Sequence, residues 1–246
     1  MSDVMTPAAA PLRPAKARRS AWALIQGLVI GLGFVLLVGA FGVLAVQYRP
    51  YRIPTASMTP TLAVGDTVLA RSVKGDAVGR GDIVVFKDQL WGNAPMVKRV
   101  VAVGGDTVVC CDAQHRLTVN DKPLEEPYAA KQFEDRQFTA TVPTGRLFLL
   151  GDDRGASLDS RSHLDQAGGT VATTEVLGRV EGTVWPAARA GLSERTVAFD
   201  GLAGPTAARP GLLGPAGLTM AAGAALVLLA SAVGGLFSLA RRLRRS

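Results

Sequence analysis

A chain of 246 residues with 27 Lys and Arg against 20 Asp and Glu carries a net charge of +7, the balance of a nucleic-acid binder. Its distribution excludes that class: residues 1–20 sum to +3, residues 241–246 to +4 and residues 21–240 to zero, so no basic stripe is left to track phosphates. With 48% hydrophobic residues and two uncharged runs of spanning length, the chain reads instead as a membrane protein whose basic ends meet anionic lipid.

Residues 1–20 form a Pro/Ala-rich basic tail, and residues 21–46 a transmembrane helix. From Trp22 to Val46 there is no charge, and Gln26 is the only strongly polar side chain. About 20 apolar residues suffice to cross the hydrocarbon. Val43-Leu44-Ala45 has the small residues of a signal-peptide cleavage site, but an h-region of about 7–15 residues is much shorter than this run, which therefore reads as an uncleaved anchor. Gly27-x-x-x-Gly31 has helix-pairing spacing, which chance also supplies in a Gly-rich span.

Residues 47–186 read as an outer, all-β domain. Thr67–Ala70, Asp82–Phe86, Val97–Val103, Thr107–Cys110, Arg146–Leu150 and Gly178–Trp185 are short runs rich in β-branched residues, and the pairs Gly65-Asp66, Gly81-Asp82 and Gly105-Asp106 punctuate them. Arg116–Val119, Asn120-Asp121 and Lys122–Leu124 make a hairpin. No amphipathic helix of 12 residues stands between Gln47 and Pro186, so the fold class is mainly β, a barrel or sandwich. Residues 187–215 are a Gly/Pro/Ala-rich linker, residues 216–240 a second, C-terminal transmembrane helix, and residues 241–246 a basic tail. The alternative for 216–240 is a loosely associated amphipathic tail. Arg13, Lys16, Arg18 and Arg19 before the first run, and Arg241, Arg242, Arg244 and Arg245 after the second, place both termini in the cytoplasm and the middle outside. Arg49, Arg52 and Arg209 on the outer side dilute that bias without reversing it.

The chemistry starts at Pro54-Thr55-Ala56-Ser57-Met58-Thr59-Pro60-Thr61, 11 residues beyond Val46 and so within about 40 Å of the first run. A serine hydroxyl needs a neighbouring base at neutral pH. Of the lysines outside, Lys74, Lys87 and Lys122 each have an acid nearby and Lys131 sits in a polar stretch. Lys98 alone lies in an apolar strand, sharing a face with Met96, Val100 and Ala102 while Arg99 points the other way. It reads equally as a buried base with a depressed pKa or as a lysine snorkelling from a strand edge.

Ser57-Met58-Thr59-Pro60-Thr61-Leu62, preceded by Tyr51-Arg52-Ile53-Pro54-Thr55-Ala56, resembles the serine box of bacterial type I signal peptidases. Met96-Val97-Lys98-Arg99-Val100 with Gly104-Gly105-Asp106 is similar to the family's lysine box, and Gly151-Asp152-Asp153-Arg154-Gly155-Ala156-Ser157-Leu158-Asp159-Ser160-Arg161 to its third signature. The resemblance covers residues 47–186 and implies a signal-peptidase-type catalytic domain outside the cell membrane, cleaving signal peptides from exported preproteins through a Ser-Lys dyad and an acyl-enzyme, as a monomer without metal or cofactor and with membrane lipid as its surroundings. It implies Ser57 as nucleophile, Lys98 as general base, Thr55 with the Ser57 N–H as oxyanion hole, Ser157 as the hydroxyl orienting the lysine, and Asp159 with Arg161 as a supporting ion pair. Tyr51, Ile53, Pro54, Leu62, Met96 and Val97 match substrate-pocket positions. The family commonly has Asn, Asp and Asn where this chain has Asp153, Gly155 and Ala156. The competing functions are a Ser-Lys peptidase with a narrow regulatory substrate and a non-catalytic membrane-anchored binding domain.

The remaining reactive residues read blandly. Cys110-Cys111 leaves open a vicinal bridge, two free thiols or a bond to another chain, and with His115 it is poorly spaced for a metal. His163 reads as a loop histidine and Asp152-Asp153 as part of a structural loop. Trp91 and Trp185 suit headgroup contact, and Trp185 equally suits core packing.

Overall fold

The computed structural model describes residues 21–130, 137–208 and 211–244; the basic tail over 1–20, Lys131, Arg209 and the end of the C-terminal tail lie outside them. The chain forms two compact units, residues 1–39 with 219–246, and residues 40–218.

The first unit holds most of two helices, α1 (Ala21–Gln47) and α2 (Leu213–Leu243), both long and apolar enough to cross a membrane, with mean hydropathies of 2.7 and 2.1 over their most apolar stretches. Helix α2 begins earlier than composition suggested, because Pro215 falls in its first turn, where a missing N–H is not felt. The helices run antiparallel: Trp22 meets Phe237 edge-on and Gln26 Nε2 donates to the Ala230 carbonyl at 3.0 Å. A Cβ on Gly33 would stand 2.8 Å from the Gly223 carbonyl oxygen, so the backbones approach at these two glycines. Nothing lies within 4 Å of where a Cβ of Gly27 or Gly31 would be, so that spacing, which chance also supplies, faces away from this contact.

The second unit is β. Its larger sheet runs β1 (Tyr48–Arg52), β2 (Thr67–Arg71), β11 (Val176–Trp185), β3 (Ile83–Phe86), β4 (Met96–Val103), β9 (Arg146–Leu150), β10 (Thr170–Ala172), with β12 (Gly191–Leu192) added to β11. The smaller sheet runs β7 (Lys122–Pro123), β6 (Leu117–Val119), β5 (Thr107–Cys110), β8 (Phe138–Thr141). Every named strand pair is antiparallel. The β6–β7 hairpin turns at Asn120 and Asp121, both at positive φ, as the sequence pattern predicts.

One core cluster joins the two sheets through Val101, Ala102, Phe148 and Leu150 against Val108, Leu117, Val119 and Phe138. A second gathers Phe86, Trp91, Val100 and Leu149. The third, Ile53, Met58, Leu62, Val68, Val85 and Val180, lies beneath the turn after β1. Strand β4 changes face along its length: a bulge between Val100 and Ala102 puts Ala102 in the first cluster and Val100 in the second. The predicted shared face of Lys98, Val100 and Ala102 therefore breaks at Ala102.

The segment read as a linker packs against the domain. Phe199 is fully buried, Leu202 and Ala207 are buried, and Arg80 donates to the Ala203 carbonyl at 3.0 Å while pairing with Asp106. Trp91 is buried and stacks on His163, whereas Trp185 is exposed.

Candidate active site

Ser57 sits in a single 3-10 turn, Ala56–Met58, shortly after β1. The turn is short because Thr55 and Thr59 flank it with extended backbone and Pro60 comes next. Met58 drops into the core beneath it and is 1% exposed, which fixes the turn on the sheet. Strand β4 brings Lys98 alongside, its Nζ donating to Ser57 Oγ at 2.9 Å. Both side chains are buried, the lysine 5% exposed and the serine 7%. Burial lowers the Lys98 pKa; the nearby Asp159 and Asp152 carboxylates work against that, and the net shift is downward. Thr55 Oγ1 donates to Ser57 Oγ at 3.3 Å.

The loop 151–161 closes the site from the other side. Asp159 is fully buried, accepts the Gly151 N–H at 3.0 Å, and holds Arg161 in a bidentate pair at 2.8 and 2.9 Å. Arg161 in turn donates to the Arg154 carbonyl at 2.8 Å. The Asp153 N–H donates to the Ser57 carbonyl at 3.1 Å, tying loop and nucleophile turn directly. Ser157 lies in the same place, but its hydroxyl behaves differently from the expectation. Buried against Gly151, Ser157 Oγ makes no hydrogen bond to Lys98 or to any other described residue.

Sequence reading passed over one part of this site. Arg99, the neighbour of Lys98, points to the opposite face and forms a two-pronged pair with Asp152 at 2.8 and 2.6 Å, both side chains buried. Thr61 Oγ1 also donates to Asp152, and the Arg99 guanidinium lies over the Tyr128 ring at 4.0 Å. The signal was present in the sequence, a Lys-Arg pair inside an apolar strand, but its acidic partner is 53 residues away.

A groove of about 280 Å³ opens on Ser57 and Lys98. Tyr51, Ile53, Pro54, Met96 and Val97 line it, as do Arg52, Met58, Val85, Pro95, Ala156 and Leu158, which the sequence reading did not select. Leu62 does not line this groove. Its N–H bonds back to the Met58 carbonyl, which turns the side chain into the core and toward a separate cavity lined by Thr61, Arg99 and Tyr128. Away from the groove, Cys110 and Cys111 are joined by a disulfide, and His163 Nδ1 lies 3.0 Å from the Asp159 carbonyl oxygen.

The arrangement is a hydroxyl and an amine in contact, shielded from water, at the floor of an apolar groove beside a strand edge. It can activate a hydroxyl against a peptide laid along that edge. Known proteins resemble this chain. The family model for signal peptidase, peptidase S26, matches residues 24–185. A probable signal peptidase I of Mycobacterium leprae (strain TN) is 32% identical, over 78% of this chain and 85% of its own length. A signal peptidase I of Leptolyngbya laminosa is 32% identical, over 77% of this chain and 94% of its own. Among solved structures, a signal peptidase I from Enterococcus faecalis V583 is 31% identical, covering 41% of this chain and 93% of that one, with a TM-score of 0.34.

Proposed function

Because this chain belongs to the signal peptidase, peptidase S26, family and is a type I signal peptidase, a serine endopeptidase, we propose that Ser57 and Lys98 form its catalytic dyad and that it works anchored in the membrane by α1 and α2. The observation that carries the dyad is the 2.9 Å contact between Lys98 Nζ and Ser57 Oγ in a site where both are buried.

In this reading the neutral Lys98 amine takes the Ser57 proton as Oγ attacks the scissile carbonyl, and the negative charge moves onto the carbonyl oxygen. The Ser57 N–H and the Thr55 hydroxyl, which turns from Ser57 Oγ to do so, donate to that oxygen, an interaction worth roughly 3–4 kcal/mol of barrier for one donor. The C–N bond then breaks, Lys98 returns the proton to the leaving amine, and the mature chain departs. Lys98 next deprotonates a water, which attacks the ester and releases the signal peptide with Ser57 regenerated. Ser157 orients the amine by swinging its unpaired hydroxyl toward Nζ, and the Asp159–Arg161 pair holds the loop that carries it. The signal peptide adds as a strand along the groove, with small side chains seated among Tyr51, Ile53, Pro54, Met96 and Val97.

Both helices span the membrane and both termini lie in the cytoplasm, which puts residues 47–186 outside. There the cleavage site of a preprotein emerges while its apolar segment is still in lipid. The test is N-terminal sequencing of a preprotein after incubation with purified enzyme. Wild type releases a single mature N-terminus, and Ser57→Ala and Lys98→Ala each lose roughly 10⁴-fold or more in rate. Near-wild-type cleavage by folded Lys98→Ala protein would end the dyad reading.

A further inference from the structure

Where the chain leaves the β domain for each of its helices, it passes the same buried carboxylate. Glu181, on β11, is 1% exposed and its two oxygens accept four hydrogen bonds. Oε1 takes Arg71 Nε at 2.6 Å and an Arg179 guanidinium N–H at 2.8 Å. Oε2 takes the Tyr48 hydroxyl at 2.5 Å and the backbone N–H of Gly211 at 2.8 Å. Tyr48 is the first residue after α1, and Gly211 stands two residues before α2. One oxygen thus holds both passages.

The details fit a purpose-built clasp. Tyr48 is 3% exposed, and burial together with its bond to Glu181 pushes the phenol pKa up to about 12, so it stays a donor at any working pH. Burial would raise the Glu181 pKa, but donors from Tyr48, Arg179, Arg71 and Gly211 outweigh it and hold the group ionised. At Gly211 a Cβ would stand 3.0 Å from Glu181 Oε2 and from Arg71 Nε, so a side chain there would crowd the carboxylate. Strand pairing of Tyr48 with Arg71, and of Arg71 with Arg179, places the donors around the acid.

We infer that Glu181 is a positioning residue that clasps the two chain passages, through Tyr48 and Gly211, and that cleavage of a substrate still embedded in the bilayer depends on this clasp. The inference rests on the proposed cleavage of membrane-inserted preproteins. It concerns no atom of the dyad, and Glu181 touches none.

The test uses the full chain in proteoliposomes with two substrates that share one cleavage site. One is a preprotein with its apolar segment inserted in the same bilayer; the other is a short water-soluble peptide spanning the cut. In Tyr48→Phe and Glu181→Gln, kcat/KM on the inserted preprotein falls by roughly tenfold or more while that on the soluble peptide stays within about twofold, since a misplacement on the order of 1 Å already costs ~10²-fold. Equal losses on both substrates, the mark of a merely structural role, overturn the inference, as does no loss on either. Should Glu181→Gln fail to fold, Tyr48→Phe, which deletes one hydroxyl, and Gly211→Ala, which crowds the same oxygens, carry the measurement. Wild-type protein that cleaves neither substrate sinks the proposed function itself, whereas wild-type cleavage of both with an unaltered ratio in the variants sinks only the clasp.

Discussion

At Gly151 an added Cβ would stand 2.2 Å from Ser157 Oγ and 2.5 Å from the Ser57 carbonyl oxygen, far inside any real contact. The Ser157 hydroxyl can swing aside, but Ser157 Cβ, also 2.5 Å from the added atom, cannot move with it, and the Ser57 carbonyl is held by the Asp153 N–H. Gly151→Ala should therefore shift the nucleophile turn and lower kcat by roughly 10²-fold, with a much smaller change in KM for a short peptide, measured by steady-state kinetics. An unchanged kcat would mean that the loop yields freely and that its close fit to Ser57 has no part in the chemistry. The titration of Lys98 gives a second expectation at this scale. Burial favours the neutral amine, and only that form can take the Ser57 proton. The rate should fall as pH drops and the amine gains a proton, and it should rise to a plateau above the lowered pKa. A kcat/KM profile that stays flat as the pH is lowered would remove the amine as base.

Elements show why some of this was legible in the sequence and some was not. Strands β2, β3, β5 and β9 announce themselves by dense β-branched or aliphatic runs with a turn signal on either side. Strand β1 does not: Tyr-Arg-Pro-Tyr-Arg has no β-branched residue and a proline inside, which only an edge strand tolerates, and β1 is at the edge. Strand β8 alternates buried and exposed over only four residues, and β10 has three, too little for any period to show. Ser57, Lys98 and the third loop could be picked out because their residue types carry chemistry. Leu62 lies off the Ser57 groove because the 3-10 turn at Ala56–Met58 redirects the residues after it, and the pairing of Asp152 was not legible because its partner is distant in sequence. That partner supports a prediction for the loop as an element. Asp152 is fully buried against Arg99, so Asp152→Ala leaves a buried guanidinium without its carboxylate and should cost about 3–5 kcal/mol of stability by denaturant titration. A loss under about 1 kcal/mol, the scale of a surface pair, would show that Arg99 is satisfied by the Gly81 carbonyl and the Tyr128 ring alone.

For the molecule as a whole, charge and packing bear independently on how the chain sits in a membrane. The net charge of +7 resides in the two ends, while the rest of the chain is neutral. In the proposed membrane arrangement, the antiparallel contact of α1 with α2, through Gly33 with Gly223 and Gln26 with Ala230, puts both ends of the helix pair on one side. Helix α1, 27 residues at 1.5 Å per residue, is about 40 Å long, enough to cross a hydrocarbon core of about 30 Å with a margin for tilt. The positive-inside bias then selects which side the ends take. Single cysteines at Ser2, Ser246 and the exposed Leu90, each in a Cys110→Ser, Cys111→Ser background, test this with a thiol reagent that cannot cross lipid. In intact cells only the residue 90 cysteine should react, and in inverted vesicles only the cysteines at 2 and 246. Labelling of residues 2 and 246 from opposite sides would mean that only one of the helices spans. The C-terminal segment would then lie on the surface, and the helix contact would need another explanation.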